Sequence, residues 1–210
     1  IELARQVKAL GISCGLSVTP YYNKPTQEGL YRHYAAVAEA SGLPQILYNV
    51  PGRTGCDLKP ETVGRLAHQF GICGLKEATG DLTRLEPLRG LCGADFALYS
   101  GDDASGCEFM LRGGDGVISV TSNIAASAMS QMCTAALQGD RETAMALNER
   151  LMPVHQTLFI ESNPIPVKWA CARLGLIAKS GLRLPLTLLS QAAQQGMEQA
   201  LNRAELIQRA

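Results

Sequence analysis

Five short apolar runs, each ending in polar or reactive side chains and each tied to the next by a helical pattern, constrain this chain most. They are "GLSVTP" (15–20), "PQILYNVP" (44–51), "CGLKEAT" (73–79), "FALYSGDD" (96–103) and "GVISVTSN" (116–123). Near-continuous apolar strands separated by amphipathic helices belong to a parallel sheet buried on both faces. The helical faces are Leu3, Val7 and Leu10; then Leu30, Tyr34 and Val37 in a helix over 26–40. "KPETVGRLAHQF" follows with proline at a first-turn position and Val63, Leu66, Ala67 and Phe70 at helical spacing. "DLTRLEPLRGL", despite Pro87, and the segment around "CEFMLRGG" complete the alternation. After Asn123 the pattern is helical only, over 124–138, 141–159, 164–174 and 186–206, the last with Leu189, Ala193, Met197, Ala200 and Ala204 in one stripe.

Two architectures accommodate this order: an open doubly wound sheet, or a portion of a (β/α)8 barrel followed by a helical extension. The first lacks a Gly-x-Gly-x-x-Gly turn between strand and helix. In a barrel, functional residues stand at the C-terminal ends of successive strands. Here Tyr21 and Tyr22 follow the first run, Tyr48 and Arg53 the second, Lys76, Glu77 and Thr79 the third, Ser100 to Asp103 the fourth and Ser119 to Asn123 the fifth. That registration favours the barrel, with about five βα units over 1–135 and a helical region over 136–210. "IELARQVKAL" reads as mid-helix without an N-cap, so the chain is expected to begin inside a longer protein.

Nineteen basic residues balance nineteen acidic ones, which gives no electrostatic footprint for nucleic acid or an anionic membrane. No apolar run reaches the roughly 18 residues of a membrane span, and no signal-peptide pattern opens the chain. The expected setting is the cytoplasm, and the expected partner a small metabolite. Seven cysteines without a C-x-x-C pair argue against a disulfide framework or a zinc site and are expected to be small buried hydrophobes.

Lys76 is the sharpest chemical signal, a lysine inside the apolar run "GICGLKEATG". An edge strand could show it to solvent. A desolvated amine of lowered pKa would instead attack carbonyl carbons. Imine chemistry moves protons at the lysine nitrogen, and Tyr48, one strand earlier at the same end, offers a hydroxyl. The bland account of Tyr48 is a rim aromatic. Arg53, in "PGRTG", could grip a substrate carboxylate or simply be a solvated loop residue. Adjacent tyrosines in "TPYYNKP" suit an interface. "SGDDA" reads as a helix N-cap and "GGDG" (113–116) as a tight turn. His33, His68 and His155 share no spacing and are given no catalytic role.

At these residues the chain resembles the class I pyruvate-dependent aldolases of the dihydrodipicolinate synthase and N-acetylneuraminate lyase superfamily. "VTPYYNKP", "LPQILYNVPGRTG", "GLKEATGD", "SGDDA", "GGDGVISVTSN" and "NPIPVKWA" carry the resemblance together. It implies that Lys76 forms a Schiff base with pyruvate, that Tyr48 relays protons, and that Tyr22 reaches across a dimer interface into the neighbour's relay. It further implies that Arg53 binds the carboxylate of L-aspartate-4-semialdehyde, that Gly101 and Ile118 line the site wall, and that Tyr21 belongs to an inhibitor cleft at the interface. The family's first three strand-helix units, with a "TTGE"-type turn that supplies a relay threonine, have no counterpart here. The implied reaction makes 4-hydroxy-tetrahydrodipicolinate on the diaminopimelate and lysine route, without metal or organic cofactor, in a homotetramer. The alternatives are another aldolase of the superfamily, taking a sugar acid or hydroxy-oxoglutarate, or a non-catalytic fragment.

Overall fold

The computed structural model describes residues 1–179 and 181–207. The chain folds as two compact units, Ile1–Ile118 and the remainder from Ser119 on. The first holds α1 (Glu2–Ala9), β1 (Gly15–Val18), α2 (Gln27–Ser41), β2 (Gln45–Asn49), α3 (Pro51–Thr54), α4 (Pro60–Ala67), β3 (Ile72–Glu77), α5 (Leu85–Cys92), β4 (Ala97–Ser100), α6 (Asp103–Leu111) and β5 (Gly116–Val117). The five strands form one sheet in the order β1-β2-β3-β4-β5, every neighbouring pair parallel. Consecutive parallel βα units in sequence order are the arrangement of a (β/α)8 barrel. The doubly wound alternative, whose strand order reverses, is thereby excluded.

Side chains alternate across the sheet, so one register row faces the helices and the next faces away. Ser17, Leu47, Leu75 and Leu98 are partners in one row. Its three leucines are fully buried against Leu30 and Tyr34 of α2, Val63 and Leu66 of α4, Leu88 of α5 and Phe109 of α6. Each such leucine contributes roughly 2 kcal/mol through the apolar area it removes from water. The adjacent row, on the opposite face, runs Val18, Tyr48, Lys76, Tyr99 and Gly116. The core therefore fixes where Lys76 and Tyr48 must point.

Local chemistry sets the helix ends. Thr26 caps α2 by accepting the Gly29 N–H at 3.1 Å, and Gly42, at φ 60°, ends it in the left-handed conformation that glycine adopts freely. Asp102 caps α6, as "SGDDA" suggested, by accepting the Ser105 N–H at 2.9 Å. Pro87 is tolerated because it occupies the first turn of α5, where its missing N–H has no carbonyl to meet. "GGDG" is a tight turn, with Gly113 at φ 98°.

Several expectations needed correction. The fifth strand stops at Val117, because Ser119 Oγ accepts the Ser122 N–H at 2.9 Å and turns the chain into a 3-10 helix over Thr121–Asn123. Helix α4 ends at Ala67, so Phe70 leaves the apolar stripe and is 87% exposed. The apolar face of α1 buries no residue. Together with β1 it lines a groove of about 420 Å³. Only Cys56 and Cys107 are fully buried among the cysteines. Cys73 is exposed, with its Sγ 3.8 Å from that of Cys14, and partial burial of its sulfur beside that thiol pushes its pKa up to about 11.

The second unit contains α7 (Ala126–Leu137), α8 (Arg141–Thr157), α9 (Ile165–Arg173) and α10 (Gln191–Arg203). Val154, Leu158, Ile165, Ala170, Met197 and Leu201 form its core. The last helix starts later than its periodicity suggested, because Ser190 caps it by accepting the Ala193 N–H and leaves Leu189 buried in the preceding loop. Among the described residues, no helix is long and apolar enough to cross a membrane.

Candidate active site

The strand ends of the first unit form a continuous rim. Backbone bonds carry the ladder past the strands themselves: Thr19 N–H to the Tyr48 carbonyl at 3.0 Å, Ala78 N–H to that of Asn49 at 2.9 Å, Gly101 N–H to that of Glu77 at 2.7 Å and Ile118 N–H to that of Ser100 at 2.9 Å. Side chains mounted there stand on a rigid frame, which is what positioned chemistry requires.

Lys76 and Tyr48 are direct register partners and share a face. The lysine Nζ lies 4.3 Å from the centroid of the Tyr48 ring. Burial holds the Lys76 amine below the ordinary lysine value, while the Asp103 carboxylate pulls it the other way. Burial likewise pushes the Tyr48 phenol up, opposed by the Arg53 guanidinium. Arg53 sits on the short helix α3 that follows β2 at once, and its charge acts on Tyr48, the register partner of Lys76. An amine whose neutral form is favoured can attack a carbonyl carbon, and a phenol beside it can pass protons.

Gly101 completes this side of the site by what it lacks. A Cβ placed there would lie 2.8 Å from Lys76 Cε, 3.1 Å from Lys76 Cγ and 2.6 Å from Ala78 Cβ. The lysine stem thus runs over a bare backbone. Ile118 stands one strand further on, half-buried, at the extension of β5.

Tyr21 and Tyr22 do not join this group. They are 71% and 93% exposed, and Tyr22 takes a positive φ of 74°, uncommon for a bulky side chain. The Tyr22 N–H reaches the Thr54 carbonyl at 3.4 Å, while Thr19 Oγ1 donates to Thr54 Oγ1 at 3.2 Å. The turn is thus tethered to α3 and its aromatic rings project into solvent.

Two neighbours of Lys76 went unnoticed in the sequence. Tyr99 is its register partner on β4, visible only once the strands are aligned. Asp103 was read as a cap acid, yet it is 2% exposed and acts on the lysine charge. Its place two residues beyond Gly101 at a strand end was the available signal.

Lys76 also costs the fold something. Its folded pKa lies below its unfolded value, so between the two the unfolded chain binds the proton more tightly and stability falls as pH drops through that window. The penalty is complete once the pH lies below the folded value. Lys76→Met is therefore expected to raise the thermal midpoint at pH 7, and the gain is expected to vanish in scans above the ordinary lysine range.

The Dihydrodipicolinate synthetase family model matches residues 1–204. Over 207 residues the chain is 61% identical to the 4-hydroxy-tetrahydrodipicolinate synthase of Methylococcus capsulatus, covering 99% of this chain and 71% of that one. It superposes on the dihydrodipicolinate synthase of Acinetobacter baumannii complexed with pyruvate, at TM-score 0.95 and 52% identity over 98% of this chain and 70% of the other. The lysine-bound enzyme from Cyanidioschyzon merolae gives TM-score 0.93 at 40% identity, with the same shares covered. A half-buried lysine on the third strand of a parallel sheet, a tyrosine beside it, and these likenesses in sequence and fold agree: the chain belongs to the dihydrodipicolinate synthetase family.

Proposed function

We propose that the protein condenses pyruvate with L-aspartate-4-semialdehyde to 4-hydroxy-tetrahydrodipicolinate through a Schiff base on Lys76. The observation that carries this reading is the Lys76 amine, half-buried, lowered in pKa by that burial and held 4.3 Å from the Tyr48 ring. The neutral amine adds to the pyruvate carbonyl, and loss of water gives the imine. A proton then leaves the pyruvate methyl group, the resulting enamine attacks the aldehyde carbon, and the amino group of the aldehyde substrate adds to the imine carbon, closing the ring and expelling the Lys76 amine. Tyr48 carries the protons that these steps release and consume. Arg53 holds the aldehyde substrate's carboxylate, Gly101 and Ile118 wall the site, and the pyruvate-bound relative supports the choice of first substrate.

Tyr22, exposed and held outward, reaches the relay of a second copy, and the working assembly is a homotetramer of two such dimers. Tyr21 lines a cleft at the same interface, a reading supported by the relative with lysine bound. In this assignment residues 1–135 provide barrel units and 136–210 a helical extension.

Borohydride reduction in the presence of pyruvate tests the assignment: a mass adduct is expected on Lys76, and its absence from the peptide carrying Lys76 would sink it. Arg53→Ala is expected to leave this adduct close to its normal rate while raising KM for the aldehyde about tenfold or more, the scale of one charge-assisted contact. Equal loss in both steps would assign Arg53 elsewhere.

A further inference from the structure

Behind the Tyr48–Lys76 pair, on the helix side of the sheet, lies a partly buried polar cluster with no part in the chemistry above. Alternation along β3 sends Glu77 away from Lys76, and Glu77 is 4% exposed. A carboxylate so placed must be matched. Its Oε1 accepts the Thr79 N–H at 2.9 Å, and its Oε2 accepts from Asn49 Nδ2 at 3.2 Å. Arg84 Nε lies 3.1 Å from Oε2, an attraction of charge without the alignment of a hydrogen bond. The rest of the guanidinium is engaged, Nη1 donating to Asp57 Oδ2 at 3.1 Å and Nη2 to the Leu58 carbonyl at 2.8 Å. Asn49 closes the circuit: its Nδ2 donates to Asp57 Oδ1 at 2.9 Å and its Oδ1 accepts the Leu58 N–H at 2.9 Å.

The placement of this cluster is the telling point. Asn49 and Glu77 are register partners one residue beyond Tyr48 and Lys76, themselves partners. Apolar residues would stabilise this interior as well or better, since burying charges costs desolvation that pairing only offsets. What directed bonds add is a fixed geometry.

We propose that Asn49, Asp57, Glu77 and Arg84 are positioning residues that clamp the ends of β2 and β3 together and so hold Lys76 Nζ against Tyr48. The inference rests on Lys76 being the imine-forming amine. The groups facing or acting on that amine are Tyr48 from β2, Tyr99 from β4 and Asp103 from α6, with Arg53 acting on Tyr48. A slack clamp lets water reach Nζ, which raises its proton affinity and moves imine formation to higher pH.

The test is the pH–rate profile of borohydride-trapped pyruvate adduct on Lys76, with thermal midpoints, for the whole chain and its variants. Glu77→Gln turns an acceptor toward other donors, and Arg84→Met leaves two carboxylates without their cation. Each is expected to slow trapping at pH 7 about tenfold and to displace the profile upward. Asp57→Asn, whose side chain is 38% exposed and which therefore keeps the fold, is expected to displace it in the same direction by less. The double variant Glu77→Met with Arg84→Met is expected to regain thermal stability but not the rate. Profiles that superimpose on the parent's once scaled for folded protein, or a double variant that recovers rate and midpoint together, would reduce the cluster to a folding element and overturn the proposal. No adduct in the unaltered chain overturns it differently, by removing the nucleophile.

Discussion

Replacing Gly101 by alanine is expected to lower the rate of pyruvate imine formation about 100-fold or more, the cost of displacing a reacting group by roughly an ångström. Gly101 is not among the described glycines with positive φ, such as Gly42 and Gly113, so the backbone itself would accept alanine. The obstacle is contact. An added methyl would meet Ala78 Cβ at 2.6 Å and Lys76 Cε at 2.8 Å, distances that real Cβ atoms essentially never show. Ala78 cannot yield, since its N–H is fixed to the Asn49 carbonyl at 2.9 Å. The lysine stem must therefore swing away from the Tyr48 ring. The double variant Ala78→Gly with Gly101→Ala separates the two clashes: it removes the methyl–methyl contact and is expected to recover thermal stability, while the lysine contact persists and trapping stays slow. Full recovery of the rate in that variant would show that Gly101 matters only for packing.

Much of this arrangement was legible in the residues. The five apolar runs announced the strands, and the polar residue at each strand's end announced the rim, because a strand buried on both faces can spare polar groups only where it leaves the sheet. Lys76 stood out for the same reason. What the sequence could not supply was lateral register. Tyr99 and Asp103 become neighbours of Lys76 only when β3 and β4 are aligned, and Glu77 joins Arg84, Asp57 and Asn49 only across three separate segments. In the sequence Glu77 stood only as one polar residue at a strand end and Arg84 only as part of a helical segment, and neither announced the other.

The errors had local causes. A serine hydroxyl ended β5 early, and helical spacing carried Phe70 into a stripe whose helix had already stopped. Cysteine composition was a poor guide to burial, since hydrophobic character alone does not choose a face. Cys73 lies on a strand whose neighbouring residues, Ile72 and Gly74, are buried while it is exposed. Periodicity thus identified elements well and their last residues badly, which is where capping side chains compete with the backbone.

Tyr48→Phe separates the ring from the hydroxyl. The contact to Lys76 is made by the ring, with Nζ 4.3 Å from its centroid, and phenylalanine preserves that face and nearly all the packing. The lysine should then keep its position and its lowered pKa, so the pH at which imine formation reaches half its plateau is expected to stay put. The rate itself should fall about 10²- to 10³-fold, because carbinolamine dehydration and enamine formation lose the group that moves their protons. Thermal stability should change little, since a half-buried phenol trades its bonds with water at small net cost. Stopped-flow trapping across pH distinguishes the outcomes. An unchanged plateau would relieve Tyr48 of the relay and leave it only the ring contact, whereas a displaced midpoint would show that the hydroxyl tunes the amine instead of serving it. A lowered plateau with a fixed midpoint is what divides the pair as proposed: the ring sets where Lys76 sits, and the oxygen carries its protons.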